Sequence, residues 1–284
     1  MSRPTVLITG ASRGIGKATA LAYARAGYDV AITARTEVEG QHSQYSLSGR
    51  DGNTLPGSLA TTLREIEACG AQALAVRMDL LEPASVDAAA DAVLAKFARL
   101  DVLINNAIYQ GSDLNARFLD LDAEVLARVW QGYVAGPVRL TQRLLPRMLT
   151  QGGGTVINVT SGAGESDPPL AAGRGGWGYA YGAAKAAVSR LSGVLAIEHG
   201  EQGIRAYTVN PGVVSTEALH ATLGENGALF KKIGAAPPEV PARVMLWLAT
   251  DQDAPAHQRC TINAQAFALQ HNIVPPWAAE RSKP

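Results

Sequence analysis

Short, nearly continuous runs of β-branched and apolar residues recur along the chain. They fall at Thr5–Thr9, Asp29–Thr33, Ala73–Met78, Val102–Ile104, Thr155–Thr160 and Ile204–Val209. Strands that are apolar at consecutive positions are buried on both faces, as in a parallel sheet. Alanine-rich stretches with helical spacing lie between them, near residues 15–26, 58–69, 83–98, 122–149 and 181–199. This alternation predicts right-handed crossovers and an α/β fold. The expected architecture is a Rossmann-type doubly wound sheet of about seven mostly parallel strands, with helices on both faces. The seventh strand is expected near Thr261–Ala266. No linker divides the pattern, so residues 1–284 read as a single domain.

Three segments interrupt the alternation. Residues 36–57 are polar and rich in Gly and Ser, which is long for a strand-to-helix connection. Residues 162–178 contain six glycines and two prolines. Both follow strands, so both are expected at the carboxyl edge of the sheet, where ligands bind in open α/β folds. They read either as tolerated insertions or as a lid or wall at the ligand mouth. Residues 216–238, with Gly224, Gly227, Gly234 and Pro237-Pro238, read as a substrate lid. Leu219, Leu223, Leu229 and Phe230 would line its inner face and favour an apolar substrate.

Composition narrows the partners. Lys plus Arg equals Asp plus Glu at 25 each, so net charge gives no support to a nucleic-acid or anionic-membrane partner. Two cysteines, Cys69 and Cys260, make neither a disulfide framework nor a metal cluster, and the five histidines show no ligand spacing. No metal is expected. The N-terminus lacks a signal-peptide pattern and no apolar stretch reaches membrane length, so a cytoplasmic location is expected.

The first run leads into Thr9-Gly10-Ala11-Ser12-Arg13-Gly14-Ile15-Gly16, and a helical pattern follows. Glycines there allow a tight turn and close approach of a pyrophosphate to the free N–H groups of a helix N-terminus. Further on, Tyr181 and Lys185 stand four residues apart, on one face of a helix. A tyrosine ordinarily titrates near 10, and a neighbouring ammonium favours its phenolate. Ser161 ends the fifth run, 20 residues before Tyr181, with the Gly/Pro-rich loop between them. That loop must bulge outwards if the two side chains are to meet.

The Thr-Gly-x3-Gly-x-Gly spacing resembles that of the short-chain dehydrogenase/reductase family. So do, in the same order, Asn105-Asn106-Ala107 after the fourth run, Ser161, Tyr-x3-Lys, and the Asn210-Pro211-Gly212 segment after the sixth. The resemblance covers about residues 4–252. It implies hydride transfer between a nicotinamide cofactor and a ketone or secondary alcohol. Ser161, Tyr181 and Lys185 would form the catalytic set, with Lys185 also holding the ribose. Gly10, Ser12, Gly14, Ile15, Gly16, Asp79, Leu80, Asn106, Ala107, Pro211, Gly212, Val214 and Thr216 would line the cofactor. Arg13 and Arg35 match positions that clamp a 2′-phosphate in members preferring NADP(H), since guanidinium fits phosphate geometry. Homodimers or homotetramers built on the helices around 122–149 and 181–199 are expected.

The chain also departs from the family. Ile108 stands where a glycine is usual. Tyr133 stands where an asparagine holds a water in the proton relay; its hydroxyl could take over the amide's role, or its bulk fill the water site. These departures leave room for a catalytically weak dinucleotide-binding sensor or scaffold. The scaffold could also serve a reductase of C=C or C=N bonds.

Overall fold

The structure, a computed structural model, describes residues 3–42, 44–45, 47–49, 52–111, 113–223 and 234–277. Strand β1 (Thr5–Thr9) is followed by helix α1 (Gly14–Arg25), β2 (Asp29–Ala34), α2 (Leu59–Ala68), β3 (Ala73–Arg77) and α3 (Pro83–Lys96). Then come β4 (Val102–Asn105), α4 (Ala123–Trp130), a π turn (Gln131–Ala135), α5 (Gly136–Thr150) and β5 (Gly154–Val159). The series continues with α6 (Tyr179–His199), β6 (Ile204–Asn210), α7 (Glu217–Leu223), a helix over Glu239–Thr250, β7 (Thr261–Asn263) and a final helix over Ala264–Gln270.

The seven strands form one sheet in the order β3-β2-β1-β4-β5-β6-β7. Every pairing is parallel, not merely most of them. The chain reverses its direction of travel between β1 and β4, and loops from those two strands diverge there. This topological switch point is where open α/β sheets bind ligands.

Burial explains the continuous apolar runs. Successive side chains of a strand point to opposite faces. Val6 and Ile8 face a layer made by α1, α2 and the helices over Glu239–Thr250 and Ala264–Gln270. Leu7, between them, faces α3, α5 and α6. Each such side chain, fully removed from water, contributes about 1.5–3 kcal/mol. Central strands therefore carry apolar residues on both faces. Ile273, Val274 and Trp277 of the C-terminal tail pack on the first of these layers.

Two expectations need correction. The long helical pattern over 122–149 is not one regular helix: it is broken by five residues of π-helix. The seventh strand ends at Asn263, because helix takes over at Ala264. The expected lid at 216–238 begins with α7, but residues 224–233, with Leu229 and Phe230, lie outside the described residues, as does the side chain of Leu223.

Candidate active site

A cleft of about 500 Å³ opens at the carboxyl edge of the sheet, over the switch point. Gly10, Ser12, Arg13, Gly14, Ile15 and Gly16 line one side, and Arg35 lies at its β2 end. Asp79, Leu80, Asn106, Ala107 and Ile108 follow, then Tyr181, Lys185, Pro211, Gly212, Val214 and Thr216. Every cofactor residue expected from the sequence thus borders one cavity.

The glycine loop is built by close approach. A Cβ at Gly16 would stand 2.2 Å from the Gly10 carbonyl oxygen, and one at Gly10 would stand 2.8 Å from the Ala107 Cα. Gly10 also has φ of 70°, in the left-handed region that favours glycine. Its N–H and that of Ala11 donate to the Thr33 carbonyl, at 2.7 and 3.1 Å. Across the switch point, Asn106 Nδ2 donates to the Thr9 carbonyl at 2.8 Å, and Thr9 Oγ1 accepts from the Asn106 and Ala107 N–H groups. The loop and the β4 end are thereby one rigid unit. It aims the N-terminus of α1, with its unpaired N–H groups and positive dipole end, into the cleft. A pyrophosphate-bearing dinucleotide fits this cradle in shape and in sign.

Helix α6 is positioned by a buried polar network. Thr160 Oγ1 donates to the Lys185 carbonyl at 3.1 Å and shares a hydrogen bond with Ser189 Oγ at 2.8 Å. Asn158 Nδ2 and Thr208 Oγ1 both donate to Ser192 Oγ, at 2.9 and 2.8 Å. Asn105 Nδ2 donates to Asn158 Oδ1 at 2.9 Å. Strands β5 and β6 thus hold α6 by side-chain bonds in addition to apolar contact, and β4 braces Asn158. Buried polar bonds of this kind favour one register of the helix on the sheet.

The same helix brings the three catalytic candidates together. The Ser161 side chain acts on the Tyr181 hydroxyl, so the two lie near each other while the loop between them runs exposed over residues 165–171. Ser161 Oγ also accepts from the Ala163 N–H at 3.3 Å; Ser161 itself does not border the cleft that Tyr181 borders. Burial pushes the Tyr181 hydroxyl above its ordinary value, and the neighbouring Ser161 side chain opposes this by favouring phenolate. Lys185 is 3% exposed, and burial alone pushes its ammonium down to about 7. Its Nζ donates to the Val159 carbonyl at 2.9 Å. No carboxylate pairs with it among the described residues. The four-residue spacing therefore puts Tyr181 and Lys185 in one cleft, while the ammonium's hydrogen-bond partner is the end of β5.

Several contributors were not legible in the sequence. Leu47 and Leu55, from the 36–57 segment, border the β2 end of the cleft. The same segment engages both arginines. Arg13 Nε donates to the Pro56 carbonyl at 2.8 Å, and its Nη2 to those of Leu55 and Gly57 at 3.1 and 2.8 Å. Arg35 Nη1 donates to the Gln44 carbonyl at 2.9 Å. Tyr45 reaches across to the far side of the cleft, where its ring lies 5.6 Å from that of Tyr109 and 5.1 Å from the Arg128 guanidinium. Arg128 Nη2 and Tyr109 Oη in turn donate to Asp113, at 3.0 and 2.8 Å. Thr36, Leu47 and Leu55 therefore form a wall of this cleft. The two arginines are held by backbone carbonyls, which have no signature in residue type.

A family model described as short chain dehydrogenase matches residues 4–56 and 53–226. The chain is 31% identical to a 3-oxoacyl-[acyl-carrier-protein] reductase of Synechocystis, over 96% of this chain and 98% of that protein. Among solved structures it is similar to L-sorbose reductase from Gluconobacter frateurii complexed with NADPH and L-sorbose. That likeness has a TM-score of 0.74 at 26% identity, over 93% of this chain and 95% of the other. It is also similar to a 7α-hydroxysteroid dehydrogenase complexed with NADH and 7-oxo glycochenodeoxycholic acid. There the TM-score is 0.72 at 26% identity, over 92% and 91% of the two chains.

Proposed function

Since the chain belongs to the short-chain dehydrogenase/reductase family, we propose that it interconverts a ketone and a secondary alcohol with NADP(H). The observation that carries this reading is that Tyr181 and Lys185 border the same cleft as the glycine loop, with Ser161 acting on the Tyr181 hydroxyl. When bound, the reduced nicotinamide supplies the hydride. The chain supplies position and the proton. Ser161 holds the substrate oxygen and stabilises the charge that develops on it. Tyr181 Oη passes its proton to that oxygen in reduction, and takes one from the alcohol in oxidation. Lys185 holds the ribose and keeps positive charge near the phenol as it ionises.

Two features support the finer assignments. Arg13 and Arg35 both border the β2 end of the cleft, and each guanidinium has five N–H donors, more than the loop carbonyls take up. This favours a 2′-phosphate. At the other end, Ile108, Tyr109, Val213 and Leu219 give an apolar lining, which favours an apolar ketone. Exposed Trp130 on α4, with Tyr179, Val194 and Ile197 on α6, offers an apolar face to a second copy.

Titration with NADPH and NADH, followed by nicotinamide fluorescence, tests the cofactor. Binding of NADPH about tenfold tighter or better is expected. Equal affinities overturn the arginine reading. A panel of apolar ketones, with Tyr181→Phe as control, tests the chemistry. Tight binding with no turnover on any ketone would point instead to a sensor.

A further inference from the structure

The departure at position 133 has a specific geometry. Tyr133 is 1% exposed and lies on the π turn, between α4 and α5. π turns are rare and concentrate at functional sites. This one is permitted by two glycines. A Cβ at Gly132 would stand 2.8 Å from the Tyr109 Cβ, and one at Gly136 would stand 2.9 Å from the Leu80 carbonyl oxygen. The turn delivers the Tyr133 ring between Tyr181 and Lys185. Its centroid is 5.9 Å from that of the Tyr181 ring, edge to face at 86°. The Lys185 ammonium stands over the Tyr133 ring, 5.2 Å from the centroid.

The Tyr133 hydroxyl has a different situation. It is buried and makes no hydrogen bond with any described residue. A tyrosine that replaced an amide through its hydroxyl would bond through that oxygen. Here the ring faces make the contacts. Burial also holds the phenol well above its ordinary pKa, so the ring stays neutral. A cation within about 6 Å of an aromatic centroid is attracted by the ring quadrupole, most of all where water is excluded.

We propose that Tyr133 is a positioning residue for this active site: its aromatic face holds the Lys185 ammonium, and its edge-to-face contact fixes Tyr181 beside it. The titratable groups facing Lys185 are Tyr181 on its own helix and Tyr133 on the π turn; β5 contributes the Val159 carbonyl. Burial disfavours the ammonium and nothing acidic compensates, so the ring is the only aromatic support for its charge among the described residues. This rests on the proposed role of Lys185, yet its test does not require turnover.

The test is the titration of Lys185 in the full-length protein with 13Cε-labelled lysine, its NMR signal assigned by loss in Lys185→Met. Tyr133→Phe keeps the ring and should leave the midpoint within about 0.3 pH unit, whereas Tyr133→Leu should lower it by about 0.5–1 pH unit. Mono-, di- and trifluorophenylalanine placed at position 133 should lower it stepwise, as fluorine drains the ring face at nearly constant shape. That series decides the matter if the leucine variant does not fold. An unchanged midpoint in the fluorinated series overturns the proposal. So does a shift in Tyr133→Phe as large as in Tyr133→Leu, because the hydroxyl would then be the active group. An enzyme inert towards every ketone would remove the proposed reaction and leave this titration interpretable.

Discussion

The ammonium of Lys185 donates to the carbonyl oxygen of Val159 at 2.9 Å, tying the middle of α6 to the last residue of β5. The bond satisfies one donor of a charge that the fold otherwise strips of water. It also fixes where that charge can be used, on the floor of the cleft and one helical turn from Tyr181. The cost of keeping it there leads to a measurable pH dependence.

Lys185 titrates at about 7 in the folded protein and near 10.5 when exposed. Between those values the unfolded chain binds the extra proton, so stability rises with pH across this window. Below about 7 both states are protonated and the full penalty applies; above about 10.5 neither is, and it vanishes. Lys185→Met removes the group. The variant is expected to be more stable than the parent at pH 6, by a few kcal/mol at order of magnitude. The gap should close as pH rises towards 10, in parallel urea melts without dinucleotide. A gap that is constant with pH would mean that Lys185 is not buried as a cation.

Tyr181→Phe removes the proton donor and leaves the ring packed against Tyr133. A loss of about 10²–10⁴ in kcat is expected, with dinucleotide affinity near that of the parent. Ser161→Ala should cost less, about 10²–10³. It also removes the side chain that favours the phenolate. The limb of the alcohol-oxidation profile that reports Tyr181 should therefore move to higher pH. Stopped-flow hydride transfer across pH 6–10 reads both effects. A profile identical to the parent's would separate Ser161 from Tyr181.

The two arginines should behave differently. Arg35 makes one bond to the 36–57 segment, whereas Arg13 makes three. Arg35→Ala is expected to weaken NADPH about tenfold and NADH less than about twofold. Arg13→Ala should weaken both, because it also releases the carbonyls of residues 55–57 that hold the cleft wall. Fluorescence titration of the two variants decides this. Equal loss of both dinucleotides in Arg35→Ala would place no phosphate contact at that residue.

Much of this was legible in the chain. The strand runs were clear because a sheet covered on both faces admits no polar alternation: Val6, Leu7 and Ile8 are all fully buried. The glycine loop was clear because Gly16 has no substitute against the Gly10 carbonyl. The π turn was not. One extra residue in a helical turn leaves the apolar spacing of 122–149 almost unchanged, and Tyr133 stood out only against a resemblance. The network through Asn158, Ser189 and Ser192 was equally silent, since single small polar residues among alanines read as solvent-facing positions until their partners are known. Residues 36–57 read as an insertion or a wall at the right edge, but nothing in residue type announces the backbone oxygens of residues 55–57 that grip Arg13.

A buried ammonium with no carboxylate partner among the described residues has one further effect, on redox balance. Nicotinamide carries a positive charge on its ring when oxidised and none when reduced. Lys185, with no carboxylate beside it, repels the first and tolerates the second, and in a site with little water that difference is weakly screened. The protein should hold the reduced dinucleotide more tightly than the oxidised one. The midpoint potential of the bound couple would then lie above that of the free couple, by more at pH 6 than at pH 9. In such a site the ratio of reduced to oxidised cofactor in the surroundings, and not affinity for the carbonyl compound alone, governs how much of the protein stands ready to reduce.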